Sequence, residues 1–151
     1  MRIALTADHN GVAVKARLVV LLRGQGHVVD DRGAHDSTHV VDYPPLCLDL
    51  CLQVVGGAVD RGIVVGGTGQ GEAIACSKVR GIRAGLCQDV FGTEISRGNN
   101  DSNVLVLGAK VVSPELAEQL VTVWLSTPFK GGVHRRRIDM ISALERGEPL
   151  S

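Results

Sequence analysis

The sequence is poor in aromatic residues and has no excess charge of either sign. Only 3% of its 151 residues are Phe, Tyr or Trp, and 16 Lys and Arg residues balance 16 Asp and Glu residues. Zero formal charge argues against the basic surface of a general nucleic-acid-binding protein. No apolar run is long enough to cross a membrane, and Arg2 begins a strand-like segment rather than a signal peptide. We therefore expect no nucleic-acid and no membrane partner.

A disulfide framework is also missing. The four cysteines all lie in apolar segments: Cys47, Cys51, Cys76 and Cys87. This placement indicates a reducing, cytoplasmic compartment, and the shared helix face of Cys47 and Cys51 indicates that these two pack in the core. No Cys or His spacing completes a zinc site, so we expect no metal. The length suits a single domain over residues 1–151, and 44% hydrophobic residues argue against disorder.

Apolar strand-like segments alternate with helical segments along the whole chain. The predicted strands are 2–7, 27–31, 63–65, 82–87 and 104–107, and the predicted helices are 12–23, 46–55, 73–79, 88–97, one that begins at 114, and 134–146. This alternation predicts an α/β fold whose five-stranded, mostly parallel sheet is covered by helices on both faces. In such sheets ligands bind beyond the carboxyl ends of the strands. The turns to examine are therefore 8–11, 66–72 and 98–103.

The turn from Gly66 to Gly71 carries the strongest chemical signal. It has four glycines in six residues, between a predicted strand and a predicted helix. Its N–H groups can converge on a phosphate, or on an oxyanion that forms during a reaction. Its spacing matches neither the P-loop nor the dinucleotide fingerprint. A tight turn without a ligand is one alternative, and Asp89, at a suitable distance for a ribose contact, keeps nucleotide binding as another.

Three groups of side chains could supply chemistry near this turn. Glu72 is either a general base or an acid that offsets the helix dipole, and Thr68 could relay a proton. Asp8 and His9 end the first strand, where ligand sites occur, although such a pair is more often structural. The basic cluster at 134–137 begins a helix, which indicates an anionic partner or a solvated face.

Six ordered blocks of sequence carry a family resemblance. They are Asp8-His9-Asn10-Gly11, Asp42-Tyr43-Pro44, Gly67-Thr68-Gly69-Gln70-Gly71, Lys78-Val79-Arg80-Gly81-Ile82-Arg83-Ala84, Asn100-Asp101-Ser102-Asn103-Val104-Leu105 and Gly131-Gly132-Val133-His134. From Arg2 to about Leu144 the chain resembles the family of ribose-5-phosphate isomerase B and the galactose-6-phosphate isomerase subunits. The resemblance implies a Rossmann-like three-layer α/β/α sandwich, no cofactor and a small phosphorylated sugar as substrate. It also implies a homodimer with shared clefts, which could pair into a tetramer, and places the helix from about residue 134 at the dimer interface.

The same resemblance implies aldose–ketose isomerisation through a cis-enediolate. Many members use a cysteine base where this chain has Gly66, and another branch has a glutamate at the position of Glu72. We therefore expect Glu72 as the base and Thr68 as the group that moves a proton between oxygens. Asp8 and Asn99 are the other expected catalytic residues. The expected substrate contacts are His9, Tyr43, Gly67, Gly69, Gln70, Gly71, Asn100, Lys110, His134, Arg136 and Arg137, with the amides of Gly67–Gly71 as the anion hole.

Two departures from the family pattern bear on the substrate. Asn99 stands where the family usually has a histidine that helps to open a furanose ring, so Asp8 must open the ring or the substrate must be open already. A tetrose 4-phosphate cannot form a furanose ring, and relatives acting on erythrulose phosphates resemble this chain in that loop. Val133 replaces the usual phosphate-binding arginine. We expect a pentose 5-phosphate or a tetrose 4-phosphate; the alternatives are an unphosphorylated sugar or sugar acid, or a non-catalytic sugar-phosphate or nucleotide binder.

Overall fold

The predicted α/β sandwich is confirmed by a computed structural model that describes residues 1–150. Its strands are β1 (Arg2–Ala7), β2 (Val28–Asp31), β3 (Arg61–Gly66), β4 (Ala84–Leu86) and β5 (Val104–Gly108). Its helices are α1 (Val12–Gly24), α2 (Tyr43–Val55), α3 (Gln70–Ser77), α4 (Val90–Gly98), α5 (Pro114–Ser126) and α6 (Val133–Glu145). The strands form one sheet in the order β2-β1-β3-β5-β4, and every neighbouring pair is parallel.

Apolar side chains fill the space on both faces of the sheet. On one face Leu105 packs in a cluster with Leu18 of α1 and Trp124 of α5. On the other face Val106 packs with Leu50 of α2. All five of these residues are fully buried. Because both faces of β5 are covered, its sequence is continuously apolar rather than alternating.

Some predicted element ends are wrong by two or three residues. The second helix begins at Tyr43 and not at Leu46, because its two prolines occupy first-turn positions that need no N–H group. The third helix begins at Gln70, directly after Gly69, whose φ of 80° is in the left-handed region. The fourth strand covers only Ala84–Leu86, since it pairs with β5 alone at the edge of the sheet.

A parallel sheet has all of its strands' carboxyl ends at one edge, here called the carboxyl edge, and all of their amino ends at the other, the amino edge. The turns 8–11 and 66–72 follow β1 and β3, so they lie together at the carboxyl edge. The segment 98–103 leads into β5 and therefore lies at the amino edge. The prediction that 98–103 lies with the other two turns is therefore wrong for a single chain, because this segment precedes its strand instead of following it.

The last helix, α6, is the least embedded of the helices. Ile138 is its one buried residue, while Ile141 and Leu144 are 49% and 64% exposed. The carboxylate of Glu145 accepts the N–H of Gly81 (2.9 Å), directly ahead of β4, so the helix ends at the amino edge. Within residues 1–150, no helix combines the length and the hydropathy that a membrane span requires.

Candidate active site

Asp8 closes the end of β1 by capping the turn that follows it. Its Oδ1 accepts the backbone N–H groups of Asn10 (2.9 Å) and Gly11 (3.2 Å), and its Oδ2 accepts the side-chain amide of Asn10 (3.0 Å). Position 11 requires glycine because a Cβ there would lie 2.2 Å from the carbonyl oxygen of Val65. The turn therefore packs against the end of β3. It holds Asp8, which is 5% exposed, next to the glycine turn.

The turn from Gly66 to Gly71 has a shape that side chains would prevent. Gly69 adopts a φ of 80°, which L residues rarely adopt, and a Cβ on Gly71 would lie 2.3 Å from the hydroxyl oxygen of Tyr43. Because α3 begins at Gln70, the first N–H groups of this helix have no partner within it. Together with the helix dipole, such groups attract negative charge.

The carboxylate of Glu72 lies against the backbone of Gly66. A Cβ on Gly66 would be 1.8 Å from Glu72 Oε1 and 2.1 Å from the carboxyl carbon. The acid therefore occupies the space that any side chain at position 66 would need. Burial raises the pKa of Glu72 above its ordinary value; a hydrogen bond from its own N–H opposes this rise, and the negative charge of Asp8 adds to it. We call the backbone of 66–71 and this carboxylate the glycine cup.

Two further predicted residues, Thr68 and Lys110, make hydrogen bonds with backbone groups of the turn. The Thr68 hydroxyl oxygen accepts the N–H of Gln70 (3.3 Å), and Thr68 itself is exposed. The N–H of Lys110 donates to the carbonyl oxygen of Gly67 (2.9 Å), which places the exposed Lys110 at the rim. Both residues are therefore held at the cup by these contacts.

His9 connects the turn 8–11 to the loop between β2 and α2. Its Nδ1 accepts the N–H of Val41 (3.3 Å), just before the helix that carries Tyr43. The Tyr43 hydroxyl in turn lies over Gly71. One chain thus brings the following predicted site residues together at the carboxyl edge: Asp8, His9, Tyr43, Gly67, Thr68, Gly69, Gln70, Gly71, Glu72 and Lys110.

Five other predicted site residues lie at the amino edge: Asn99, Asn100, His134, Arg136 and Arg137. The N–H groups of Asn99 and Asn100 both donate to the carbonyl oxygen of Ile95 (2.9 and 3.3 Å), at the end of α4. The start of α6 is tied to the same place, since the N–H of Lys130 donates to the carbonyl oxygen of Gly98 (2.9 Å). A single chain therefore does not bring these five residues to Glu72.

Asp89, which kept nucleotide binding open as an alternative, caps a helix. Its Oδ1 accepts the N–H of Gly92 (2.7 Å) at the start of α4. Cys47 and Cys51 are free and fully buried in the core, as predicted, and Cys76 of α3 is buried in the same cluster. Within residues 1–150 no cluster of three His, Cys, Asp or Glu side chains could hold a metal ion.

Comparison with known proteins identifies the family. The profile described as Ribose/Galactose Isomerase matches residues 3–141. The chain belongs to this family. Ribose-5-phosphate isomerase B of Escherichia coli is 41% identical over 145 residues, which cover 96% of this chain and 97% of that protein. D-erythrulose-4-phosphate isomerase of Pectobacterium atrosepticum is 32% identical over 148 residues, covering 98% of this chain and 97% of that protein.

Solved structures of ribose-5-phosphate isomerases have the same fold as this family member. The Clostridium thermocellum ribose-5-phosphate isomerase B matches with a TM-score of 0.95 at 40% identity, over 97% of this chain and 99% of that one. The Trypanosoma cruzi type B enzyme matches with a TM-score of 0.92 at 32% identity, over 97% of both chains. The family and the enzyme class predicted from the six blocks are confirmed, and this chain is an aldose–ketose isomerase.

No role is predicted from the sequence for Asn10, Arg97 or Asp101, although two of them lie in the family blocks. Asn10 braces Asp8, as described above, and Arg97 Nη1 donates to Asp101 Oδ1 (2.8 Å). The four-residue spacing of the ion pair is visible in the sequence. It suggests a helical pair, however, whereas Asp101 lies beyond the end of α4 in a turn that only the structure shows.

Proposed function

We propose that this enzyme, by family a sugar-phosphate isomerase, interconverts the aldose and ketose forms of a short sugar phosphate through a cis-enediolate. Its preferred substrate is a tetrose 4-phosphate, with a pentose 5-phosphate as the second choice. The observation that carries the proposal is the carboxylate of Glu72 held against Gly66, at the amino end of α3.

Glu72 is the base that moves hydrogen between the two carbons. It removes the proton from C2 of the aldose, and the electron pair of that C–H bond forms the enediolate. The Thr68 hydroxyl passes the O2 proton to O1, and Glu72 then returns its proton to C1, which yields the ketose and restores the carboxylate. Because burial raises the pKa of Glu72, the carboxylate is a stronger base than an exposed glutamate.

The glycine cup stabilises the charge that develops on the substrate oxygen. The N–H groups at the amino end of α3 are donors that need no rearrangement when the enediolate forms. Loss of one donor of this kind costs about 10²- to 10³-fold in kcat in other enzymes. The cup therefore provides both the base and the anion hole within one short segment of chain.

A second copy of the chain supplies the phosphate end of the site. The expected anion contacts Arg136 and Arg137 lie at the amino edge, so they reach the glycine cup only from a partner in a homodimer. The weak packing of α6 supports this arrangement, because the exposed Ile141 and Leu144 are available to a partner. His9 and Lys110 contribute from the first copy.

The preference for a tetrose phosphate rests on Asn99 and Val133. A neutral amide cannot protonate a ring oxygen, and a tetrose 4-phosphate has no furanose ring to open because O4 carries the phosphate. Because Val133 stands where the family usually has an arginine, the phosphate site has one guanidinium contact fewer. One relative is named D-erythrulose-4-phosphate isomerase, so a tetrose 4-phosphate is a substrate class that occurs among proteins similar to this chain.

Replacing Glu72 with glutamine tests the proposal. The Glu72→Gln variant keeps the shape of the side chain and removes the base, so kcat should fall about 10³-fold with little change in KM. Conversion is measured for tetrose, pentose and hexose phosphates and for unphosphorylated sugars, with inorganic phosphate as an inhibitor. Glu94→Gln, at an exposed position on α4, is the matched control and should keep wild-type activity.

The outcomes separate the proposal from its alternatives. Near-normal turnover by Glu72→Gln refutes the assignment of the base. Turnover of unphosphorylated sugars with no inhibition by phosphate refutes the phosphorylated substrate. Absence of turnover on the whole panel, together with binding of sugar phosphates, indicates a non-catalytic binder.

A further inference from the structure

The segment 98–103 is fixed more firmly than a short connection between a helix and a strand requires. We propose that Asp101, clamped by Arg83 and Arg97, is a positioning residue for the isomerisation. It holds Asn99 and Asn100 in the arrangement in which they meet the glycine cup of a second copy of the chain. This inference rests on the two-copy site proposed above.

Both carboxylate oxygens of Asp101 are occupied by guanidinium groups. Arg97 Nη1 donates to Oδ1 (2.8 Å), and Arg83 Nη2 donates to Oδ2 (3.0 Å). Arg83 Nε also donates to the backbone carbonyl oxygen of Asp101 (2.8 Å). The side chains of Asp101 and Arg97 are only 19% and 8% exposed. Because these charge-assisted bonds are shielded from water, they are stronger than an exposed surface pair.

The clamp stabilises a backbone conformation that the chain does not adopt readily. Asp101 has a φ of 49°, and within residues 1–150 no other residue besides glycine has a positive φ. Such conformations persist where the surroundings enforce them, and they cluster at functional sites. Here the left-handed turn sets the path of the chain directly after Asn99 and Asn100.

The far end of the segment is anchored in the core. The Ser102 hydroxyl oxygen accepts the indole N–H of Trp124 (2.8 Å) and the hydroxyl of Ser96 (2.7 Å). Arg97 Nη1 also donates to the backbone carbonyl oxygen of Ser102 (2.7 Å). Since Trp124 is fully buried, this end of the segment cannot shift without disturbing the packing of α5 against the sheet.

The side chains of Asn99 and Asn100 make no hydrogen bond within residues 1–150 that would explain why the segment is fixed so firmly. The side-chain oxygen of Asn99 is buried but accepts no hydrogen bond, and Asn100 is exposed. Buried polar atoms in native proteins nearly always have a partner. The exposed Asn100 is the side chain that the substrate or the second copy can reach, and a fixed segment would present it without an entropic cost on binding.

Asp101→Asn removes the charge and preserves the backbone, because asparagine tolerates a positive φ as well as aspartate does. A misplaced contact of about 1 Å can cost on the order of 10²-fold in rate, so we expect kcat to fall about tenfold or more while KM changes little. A purely structural brace would lower the melting temperature and leave kcat of the folded enzyme unchanged. Glu118→Gln, which breaks an ion pair with Arg17 on the α1–α5 surface, is the matched control.

Mixed dimers show whether Asp101 acts across the subunit boundary. Dimers of one Glu72→Gln chain and one Asp101→Asn chain are purified through different tags. One of their two sites then has an intact Glu72 from one chain and an intact Asp101 from the other, so they should regain about half of the wild-type activity. Dimers that combine Asp101→Asn with Asn100→Ala have no intact site and should stay as slow as the single variants.

The inference is overturned if Asp101→Asn keeps wild-type kcat, or if the mixed dimers with Glu72→Gln do not regain activity. If Asp101→Asn does not fold, Arg83→Lys replaces it, since a lysine keeps the charge but makes only one of the two bonds. Full activity of Glu72→Gln alone would instead refute the proposed base. The kcat and KM of Asp101→Asn would still decide the role of the clamp.

Discussion

Adding a single methyl group at Gly66 should slow the enzyme about 10²-fold without unfolding it. A Cβ at this position would lie 1.8 Å from Glu72 Oε1, whereas real contacts of this kind are not shorter than 3.0 Å. In Gly66→Ala the carboxylate oxygen must therefore retreat by at least 1.2 Å, the difference between these two distances. A displacement of that size from the reacting carbon costs on the order of 10²-fold in kcat. The free energy of unfolding should fall by only about 1 kcal/mol, because the group that moves is the end of a flexible side chain.

Steady-state kinetics and thermal unfolding of Gly66→Ala measure the two effects separately. Gly24→Ala is the control, because a Cβ at the end of α1 meets nothing within 4 Å. It should leave kcat unchanged and, as a glycine-to-alanine change in a helix, slightly raise the stability. Wild-type kcat in Gly66→Ala would refute the placement of the Glu72 carboxylate, and a loss of activity explained by unfolding would refute the claim that the methyl group acts on the base alone.

Three further predictions concern ionisation and burial. Because burial raises the pKa of Glu72, kcat/KM should rise with pH on an acid limb above pH 4.5. The buried carboxylate costs folding free energy only when it is ionised. Glu72→Gln should therefore be more stable than the wild type at neutral pH but not below pH 4.5. A stability difference that does not depend on pH would contradict this. Ser102→Ala should lower the free energy of unfolding by about 1 to 3 kcal/mol in denaturant titrations, because the Trp124 N–H loses its buried acceptor; a change below about 0.5 kcal/mol would oppose that reason. Cys76, whose pKa a hydrogen bond with Cys47 and burial raise to about 12, should resist iodoacetamide in the native protein and react after unfolding, as followed by mass spectrometry.

The order of elements could be predicted from the sequence because its physical cause is local. Each strand of a covered parallel sheet must be apolar on both faces, and each connecting helix shows its own periodicity. The start of α5 could also be predicted, since Ser113 precedes a proline and its hydroxyl oxygen accepts the N–H of Leu116 (3.1 Å). The start of α3 could not, because it follows the left-handed conformation of Gly69, and the sequence shows a glycine there but not its φ.

The site could be predicted only in part, for a similar reason. Asp8, Thr68 and Glu72 each lie directly after a strand or at the start of a helix, so the topology brings them together. The clamp on Asp101 involves Arg83 and a left-handed turn, and neither follows from a local pattern. The position of Asn99 at the opposite edge follows from strand direction alone. The order of the motifs along the chain does not reveal that Asn99 and Glu72 are apart. Residues that meet only across two subunits are written in the same single sequence.

Exchange of solvent deuterium into the substrate tests the role of Glu72 most directly. The wild-type enzyme in D₂O should place deuterium on C1 or C2 of the sugar phosphate during turnover, because the carbon-bound hydrogen passes through a side chain that exchanges with solvent. Glu72→Gln should show no enzymatic exchange under the same conditions. Labelling of those carbons by the glutamine variant at the wild-type rate would contradict the proposal that this carboxylate carries the proton.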